Sequence, residues 1–194
     1  MTDWAELYRE HVAALAALAQ GLDEAERAAT VPGTPQWSVR DVYAHLAGVA
    51  ADNVTGRTDG APEPAWTARH VAERRGVALE GLVTELEAHQ DAVSALAAEN
   101  PGLVFDVATH HADLHEALGR HRLPEELWRP VLDRVAPRRV PELVDRVAPY
   151  ELFRALFSRR SRRQLRAWDT GLSEAELDAI GFFGPREDDQ PIPA

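Results

Sequence analysis

Four stretches of the chain repeat apolar residues at the three- and four-residue spacing of an amphipathic α-helix, and none alternates apolar and polar residues like a half-buried strand. They begin near residues 2, 38, 67 and 103, and alanine and leucine, which favour helices, dominate them. An amphipathic helix must bury its apolar stripe against another element. We therefore predict an all-α protein whose main part is a four-helix bundle.

Local signals predict where these helices begin and end. Thr2 or Asp3 can cap the first helix, Ser38 opens a capping-box variant at the start of the second, and Thr67 is placed to cap the third. The third region, which runs to about residue 100, is expected to break near Gly76. The fourth helix should end just before Gly119, which sits where a left-handed residue follows a helix.

Two parts of the chain follow from this pattern. Residues 1–120 are predicted to form the helical bundle, and residues 121–194 a short helical C-terminal extension with a tail that packs on the bundle. Within the extension, we expect prolines and a glycine to break the chain into short helices, namely Pro130, Pro137, Pro141, Pro149 and Gly171.

Composition excludes several classes of chemistry. The chain has no cysteine, so it has neither disulfides nor a thiol nucleophile of its own, and it has no lysine for a Schiff base or a phosphate loop. A net charge of −11 argues against nucleic-acid binding. No apolar run approaches the length of a membrane span, and no signal peptide is evident. We expect a soluble, cytoplasmic monomer or homodimer whose partners are small molecules.

The fourth helix carries candidate metal ligands. On a helix, Asp106 and His110 lie about 40° apart around the axis, and Asp113 lies about 20° from Asp106. His45 on the second helix is the candidate for a further ligand. His111 and His115, which also have i, i+4 spacing, form an equally good pair on the other side of the apolar stripe, so the spacing alone does not choose between the pairs.

Five segments resemble one known family. Residues 35–48 (PQWSVRDVYAHLAG) and 106–119 (DVATHHADLHEALG) are similar to the two signatures of the DinB-like superfamily, and most similar to its mycothiol-dependent maleylpyruvate isomerase family. The loop 53–69 and the segments 158–164 (SRRSRRQ) and 183–191 (FGPREDDQP) also resemble that family. The better-known isomerase pattern has glutamate where this chain has Asp106.

The resemblance implies a DinB-like four-helix bundle that holds one divalent metal, usually zinc, on His45, Asp106 and His110. It also implies mycothiol, a sugar-bearing small thiol, as a second cofactor. Two imidazoles and one carboxylate suit zinc and leave a coordination position open, as in catalytic sites. The chain's lack of cysteine agrees with a thiol supplied by a cofactor.

Five further residues are candidates for holding the cofactor or the substrate. Asp113 is placed to orient a ligand imidazole or contact the cofactor, although a solvated helix-end acid is an equal alternative. Asn53, Trp66 and Arg69 flank the loop and are expected to shape the entrance or hold the sugar portion of the thiol; packing is the alternative for Trp66. Arg159 is the arginine expected to clamp an acidic substrate, while most neighbouring arginines are expected to form a solvated face.

We therefore expect a mycothiol-dependent S-transferase or isomerase that acts on a small electrophilic substrate through a metal-bound thiolate. The alternatives are a non-catalytic DinB-like protein that binds a metal or a small ligand, and a metal-assisted hydrolase that uses bound water. No acid or histidine outside the ligand set has spacing specific enough to predict a catalytic base.

Overall fold

The computed structural model describes residues 2–193, and within that range the chain is helical with no β-strand, which confirms the all-α prediction. No helix in the described part is long and apolar enough to cross a membrane. The helices are α1 (Trp4–Gln20), α2 (Glu24–Ala28), α3 (Val39–Thr55), α4 (Pro64–Glu73), α5 (Leu79–Glu99), α6 (Gly102–Ala117), α7 (Glu125–Arg139), α8 (Pro149–Leu156), α9 (Arg162–Arg166) and α10 (Glu174–Asp178), with a 3-10 turn at Pro141–Leu143.

The chain divides into two compact units between Arg120 and His121. In the first unit, the long helices α1 and α3 each contact both α5 and α6, and the short α4 contacts α3. The Tyr43 hydroxyl of α3 donates to the Leu15 carbonyl of α1 at 2.9 Å, so both polar groups are satisfied inside the core. The predicted four-helix bundle is confirmed.

Most of the predicted helix ends are confirmed, and one is wrong. Asp3 caps α1, Ser38 caps α3 in a full capping box, and Gly119 follows α6 with φ of 60°. The predicted start at Thr67 is wrong, because α4 already begins at Pro64. Proline suits the first helical position, since its missing N–H has no partner there in any helix. The Thr67 hydroxyl instead donates to the Pro64 carbonyl at 3.0 Å.

The prediction that Pro130 and Pro137 break the chain is also wrong. Both lie inside α7, which is continuous over its 15 residues. Each proline removes one backbone hydrogen bond, but the helix buries an apolar face on both sides of Pro130, and that burial offsets the loss. Its buried residues are Leu127, Trp128, Val131, Leu132, Val135 and Ala136.

The second unit contains a buried ion pair. Arg160 is 2% exposed, and its guanidinium donates to both carboxylate oxygens of Glu151 on α8, at 2.6 and 2.9 Å. Arg154 and Arg159 are buried as well. The expected solvated face is therefore wrong for Arg154 and Arg160, which lie inside the protein.

The two C-terminal segments that resemble the family, residues 158–164 and 183–191, are joined to each other by hydrogen bonds. The Ser158 hydroxyl donates to the Gly184 carbonyl at 2.8 Å, and the Gln164 side chain pairs with the Gln190 backbone through bonds of 2.7 and 3.1 Å. These hydrogen bonds hold residues 183–191, which have no regular secondary structure, in place. The predicted packing of the tail on the bundle stays a prediction.

Candidate metal centre

Three donor side chains from two helices converge inside the bundle. His45 lies on α3, Asp106 and His110 lie one turn apart on α6, and one ligand atom from each lies within 4.8 Å of the other two. Both histidines are buried, and Asp106 is about one third exposed. Of the three donors, Asp106 is therefore the one in contact with solvent.

The spacing of these atoms fits a tetrahedral metal. Asp106 Oδ1 lies 3.6 Å from His45 Nε2 and 3.7 Å from His110 Nε2. Ligands about 2.0–2.1 Å from a tetrahedral zinc ion lie roughly 3.3 Å from one another. The three ligand atoms all lie within 4.8 Å of one another, so side-chain rotations bring them to that spacing and the residues present fit the metal.

One buried polar atom without a hydrogen-bond partner points to the same conclusion. His45 Nε2 is buried and makes no hydrogen bond with the protein. Such an atom is rare in a folded core and calls for a specific explanation. A metal ion bound between His45 and Asp106 would supply the missing partner.

The charge states of two donors are those that a metal requires. Burial lowers the pKa of His45 to about 4, although the nearby carboxylate of Asp106 opposes the shift. Burial works to raise the pKa of Asp106, but its contacts with His45 and the charge of His110 outweigh burial and bring that pKa to about 2. Near neutral pH the site therefore offers a neutral imidazole and an ionised carboxylate, so little proton release opposes binding.

Comparison with known proteins places this geometry in a family. The model of the mycothiol maleylpyruvate isomerase N-terminal domain matches residues 8–154. The chain belongs to this family. Neither the search of curated proteins nor that of solved structures found a match. The match to the mycothiol maleylpyruvate isomerase N-terminal domain family covers all three donors, whereas the paired segments 158–164 and 183–191 lie outside it.

The predicted binding residues on the first unit occupy different places around the centre. Asp113 is buried, so the solvated alternative is wrong, and its Oδ2 lies 3.1 Å from His110 Nδ1. The carboxylate therefore contacts the His110 ring, although this nitrogen makes no hydrogen bond. The Trp66 indole donates to the Arg57 carbonyl at 3.2 Å, and Asn53 donates to the Val49 carbonyl of its own helix at 2.9 Å.

Two of the predicted arginines make protein contacts. Arg69 donates to the Asp52 carboxylate of α3 at 2.5 Å. Arg159 belongs to the second unit, where it is buried and donates to the Phe157 carbonyl at 2.7 Å. The binding roles of Arg69 and Arg159, like those of Asn53, Trp66 and Asp113, stay predictions.

Residues that the sequence did not single out complete the surroundings. The Trp37 ring lies 4.9 Å from the His45 ring and 5.9 Å from that of His110. Behind His45, His70 of α4 lies between His45 and Asp52. The available signal was the position of Asp52, seven residues after His45 and therefore on the same face of α3.

The neighbouring histidine pair has a different environment. His111 points to α1, where its Nδ1 lies 3.1 Å from Nδ1 of His11, and both rings are buried. His11 is therefore a buried histidine that pairs with another imidazole. Burial, followed by the charges of His11 and His115, lowers the pKa of His111 well below its usual value.

A pH dependence of stability follows from His111. Because its pKa is lower in the folded state than the unfolded value of about 6.5, the unfolded chain takes up a proton first as the pH falls. Metal-free protein should lose up to about 1.4 kcal/mol of unfolding free energy per pH unit from this group below pH 6.5. Urea unfolding at pH 7, 6 and 5 should show a smaller loss in His111→Gln. Equal slopes in the two proteins would contradict the assignment.

Proposed function

We propose that this protein is a zinc-dependent enzyme that uses mycothiol as a transferase or isomerase on a small electrophilic substrate. The observation that supports the proposal most is the convergence of His45, Asp106 and His110 inside the bundle. The description of the family to which the chain belongs names both mycothiol and maleylpyruvate.

The donor set determines which chemistry the metal would supply. Two imidazole nitrogens and one carboxylate oxygen suit zinc and leave room for an external ligand. Zinc favours the thiolate form of a thiol near neutral pH and so increases its nucleophilicity. Because the chain has no cysteine, that thiol must come from a cofactor.

The chain's own residues would position and shield the reacting groups. Trp37 and Trp66 place large aromatic rings beside the donor histidines, which excludes water from one side of the centre. Asp113 contacts Nδ1 of His110, and the ionised Asp106 would balance part of the charge of a bound metal. A preorganised, partly dry site of this kind strengthens interactions with developing charge.

Maleylpyruvate illustrates the substrate class. Its cis double bond is conjugated to a carbonyl, so a thiolate sulfur can bond to the alkene carbon β to that carbonyl while the electron pair of the double bond moves onto the carbonyl oxygen as an enolate. Rotation about the former double bond, return of the electron pair and cleavage of the carbon–sulfur bond give the trans isomer and the thiolate again. If the enolate carbon takes a proton instead, the thioether remains and the reaction is a transfer.

The test is turnover that depends on both thiol and metal. Purified protein is incubated with mycothiol and a panel of small electrophiles that includes maleylpyruvate, and products are separated by mass spectrometry. We expect turnover to fall at least about 100-fold without mycothiol or after chelation, and to return with zinc, as expected when the activated nucleophile is removed. Hydrolysis without thiol would favour the metal-assisted hydrolase, and metal binding without turnover would favour a binding protein.

A further inference from the structure

Asp52, His70 and the donor His45 are linked in a row by polar contacts. His70 Nε2 lies 2.9 Å from Asp52 Oδ2, and His70 Nδ1 lies 3.3 Å from His45 Nδ1. Asp52 and His70 are buried to 2% and 0% exposure. The contacts therefore run inside the protein from a carboxylate, through one imidazole, to the ring nitrogen of His45 opposite Nε2.

The backbone of α3 leaves space for the His70 ring at Gly48. His45, Gly48 and Asp52 lie on one face of α3, and His70 reaches that face from α4 above Gly48. A Cβ atom at Gly48 would lie 2.4 Å from the His70 ring, which is too close for any real contact. The glycine therefore permits the ring to sit between His45 and Asp52.

The direction of each hydrogen bond follows from the carboxylate of Asp52, at which the row of contacts ends. An ionised carboxylate only accepts hydrogen bonds, and the Arg69 guanidinium bound to Asp52 favours its ionised form. His70 must then carry its proton on Nε2, and in the neutral ring Nδ1 is an acceptor. That acceptor requires a proton on His45 Nδ1, which leaves the lone pair of His45 on Nε2.

We propose that His70 and Asp52 are positioning residues that fix His45 in the tautomer whose Nε2 lone pair faces Asp106 and His110. The inference rests on the metal centre of the proposed function and adds residues that the donor set does not contain. His110 is held differently, since the Asp113 carboxylate contacts its Nδ1 directly. The two ligand histidines thus present the same nitrogen through two different supports.

The first test uses the unaltered, metal-free protein and needs no variant. Nitrogen-15 NMR of histidine-labelled protein distinguishes the two neutral tautomers of each ring. We expect His45 to be protonated on Nδ1 and His70 on Nε2. A His45 ring protonated on Nε2 would overturn the proposal, whatever the protein does with metal.

The second test measures zinc affinity by competition with a chelator. His70→Phe keeps a ring above Gly48 but removes both nitrogens, and it should weaken zinc binding 10- to 100-fold, the range typical of lost support for a ligand. Asp52→Ala should change the affinity in the same direction. His70→Gln offers an amide oxygen to His45 and an N–H to Asp52, so it should restore most of the affinity.

The control is His89→Phe, which removes a histidine of α5 that takes no part in these contacts. A merely structural role for His70 predicts equal losses in His70→Phe and His70→Gln, and that result would overturn the proposal. Unchanged affinity in His70→Phe would overturn it too, while the metal centre itself would stand. If the unaltered protein binds no zinc, the proposed function fails, and the NMR measurement still decides the tautomer.

Discussion

Replacing His110 with alanine is expected to reduce zinc binding by on the order of 1000-fold, because the substitution removes one of only three protein donors. The buried site has no fourth side chain among the described residues that lies close enough to take its place. The expected observation is about one zinc per chain in the unaltered protein and almost none in His110→Ala, measured by elemental analysis after dialysis.

A matched control lies on the same helix. His115 pairs with His111 at the spacing that joins Asp106 to His110, and the sequence alone could not choose between these pairs. His115→Ala should keep its zinc, since neither His111 nor His115 belongs to the converging donor set. If His115→Ala loses the metal and His110→Ala keeps it, the centre lies on the other pair.

Replacing Glu151 with alanine is expected to lower the unfolding free energy of the protein by about 3 kcal/mol. The substitution removes both bonds between Glu151 and the guanidinium of Arg160, which is fully buried. Breaking a buried ion pair from one side leaves the other charge desolvated without its carboxylate, although Arg160 still donates to the Arg159 carbonyl. Chemical denaturation, followed by the fluorescence of the tryptophans, measures the loss.

The exposed pair between Glu125 and Arg129 on α7 is the control for that experiment. Its two side chains are joined at 3.0 Å, but both remain largely in water. Glu125→Ala should therefore change the unfolding free energy by no more than about 0.5 kcal/mol. Comparable effects from the two substitutions would show that the Glu151–Arg160 pair is no more important than a surface contact.

The sequence predicted the donors but not the orientation of α6. Helical spacing brings Asp106 and His110 together, and it does the same for His111 and His115. Adjacent residues on a helix point about 100° apart, so His110 and His111 must face different neighbours. His110 meets His45 of α3 and His111 meets His11 of α1, and that choice depends on how the helices pack.

Local sequence patterns could not predict that His70 contacts His45. His70 lies 25 residues after His45, on a helix that follows a turn-rich loop, and nothing in the sequence fixes where that helix packs. Gly48 and the position of Asp52 on the same face of α3 were the local signs, but a lone glycine or acid within a helix is weak evidence. The contacts of His70 become visible only when α4 is seated on α3.

The prediction of a solvated face for the arginine-rich residues 154–166 was wrong for a related reason. Six arginines within a short segment are typical of a solvated face, yet Arg154, Arg159 and Arg160 are buried. Arginine enters a core where carboxylates and carbonyls are arranged to receive its five donors. Glu151 and the Phe157 carbonyl are such partners, and only the folded chain brings them there.

The most direct test of the proposed thiol-using metal centre is the absorption spectrum of the cobalt(II)-loaded protein during titration with mycothiol. Cobalt(II) accepts the ligand set of zinc, and a sulfur ligand adds an intense charge-transfer band. Because the chain has no cysteine, any such band must come from the added thiol. We predict a saturable band in the unaltered protein and none in His110→Ala. Cobalt that binds to His45, Asp106 and His110 but shows no band at saturating mycothiol would contradict the proposal.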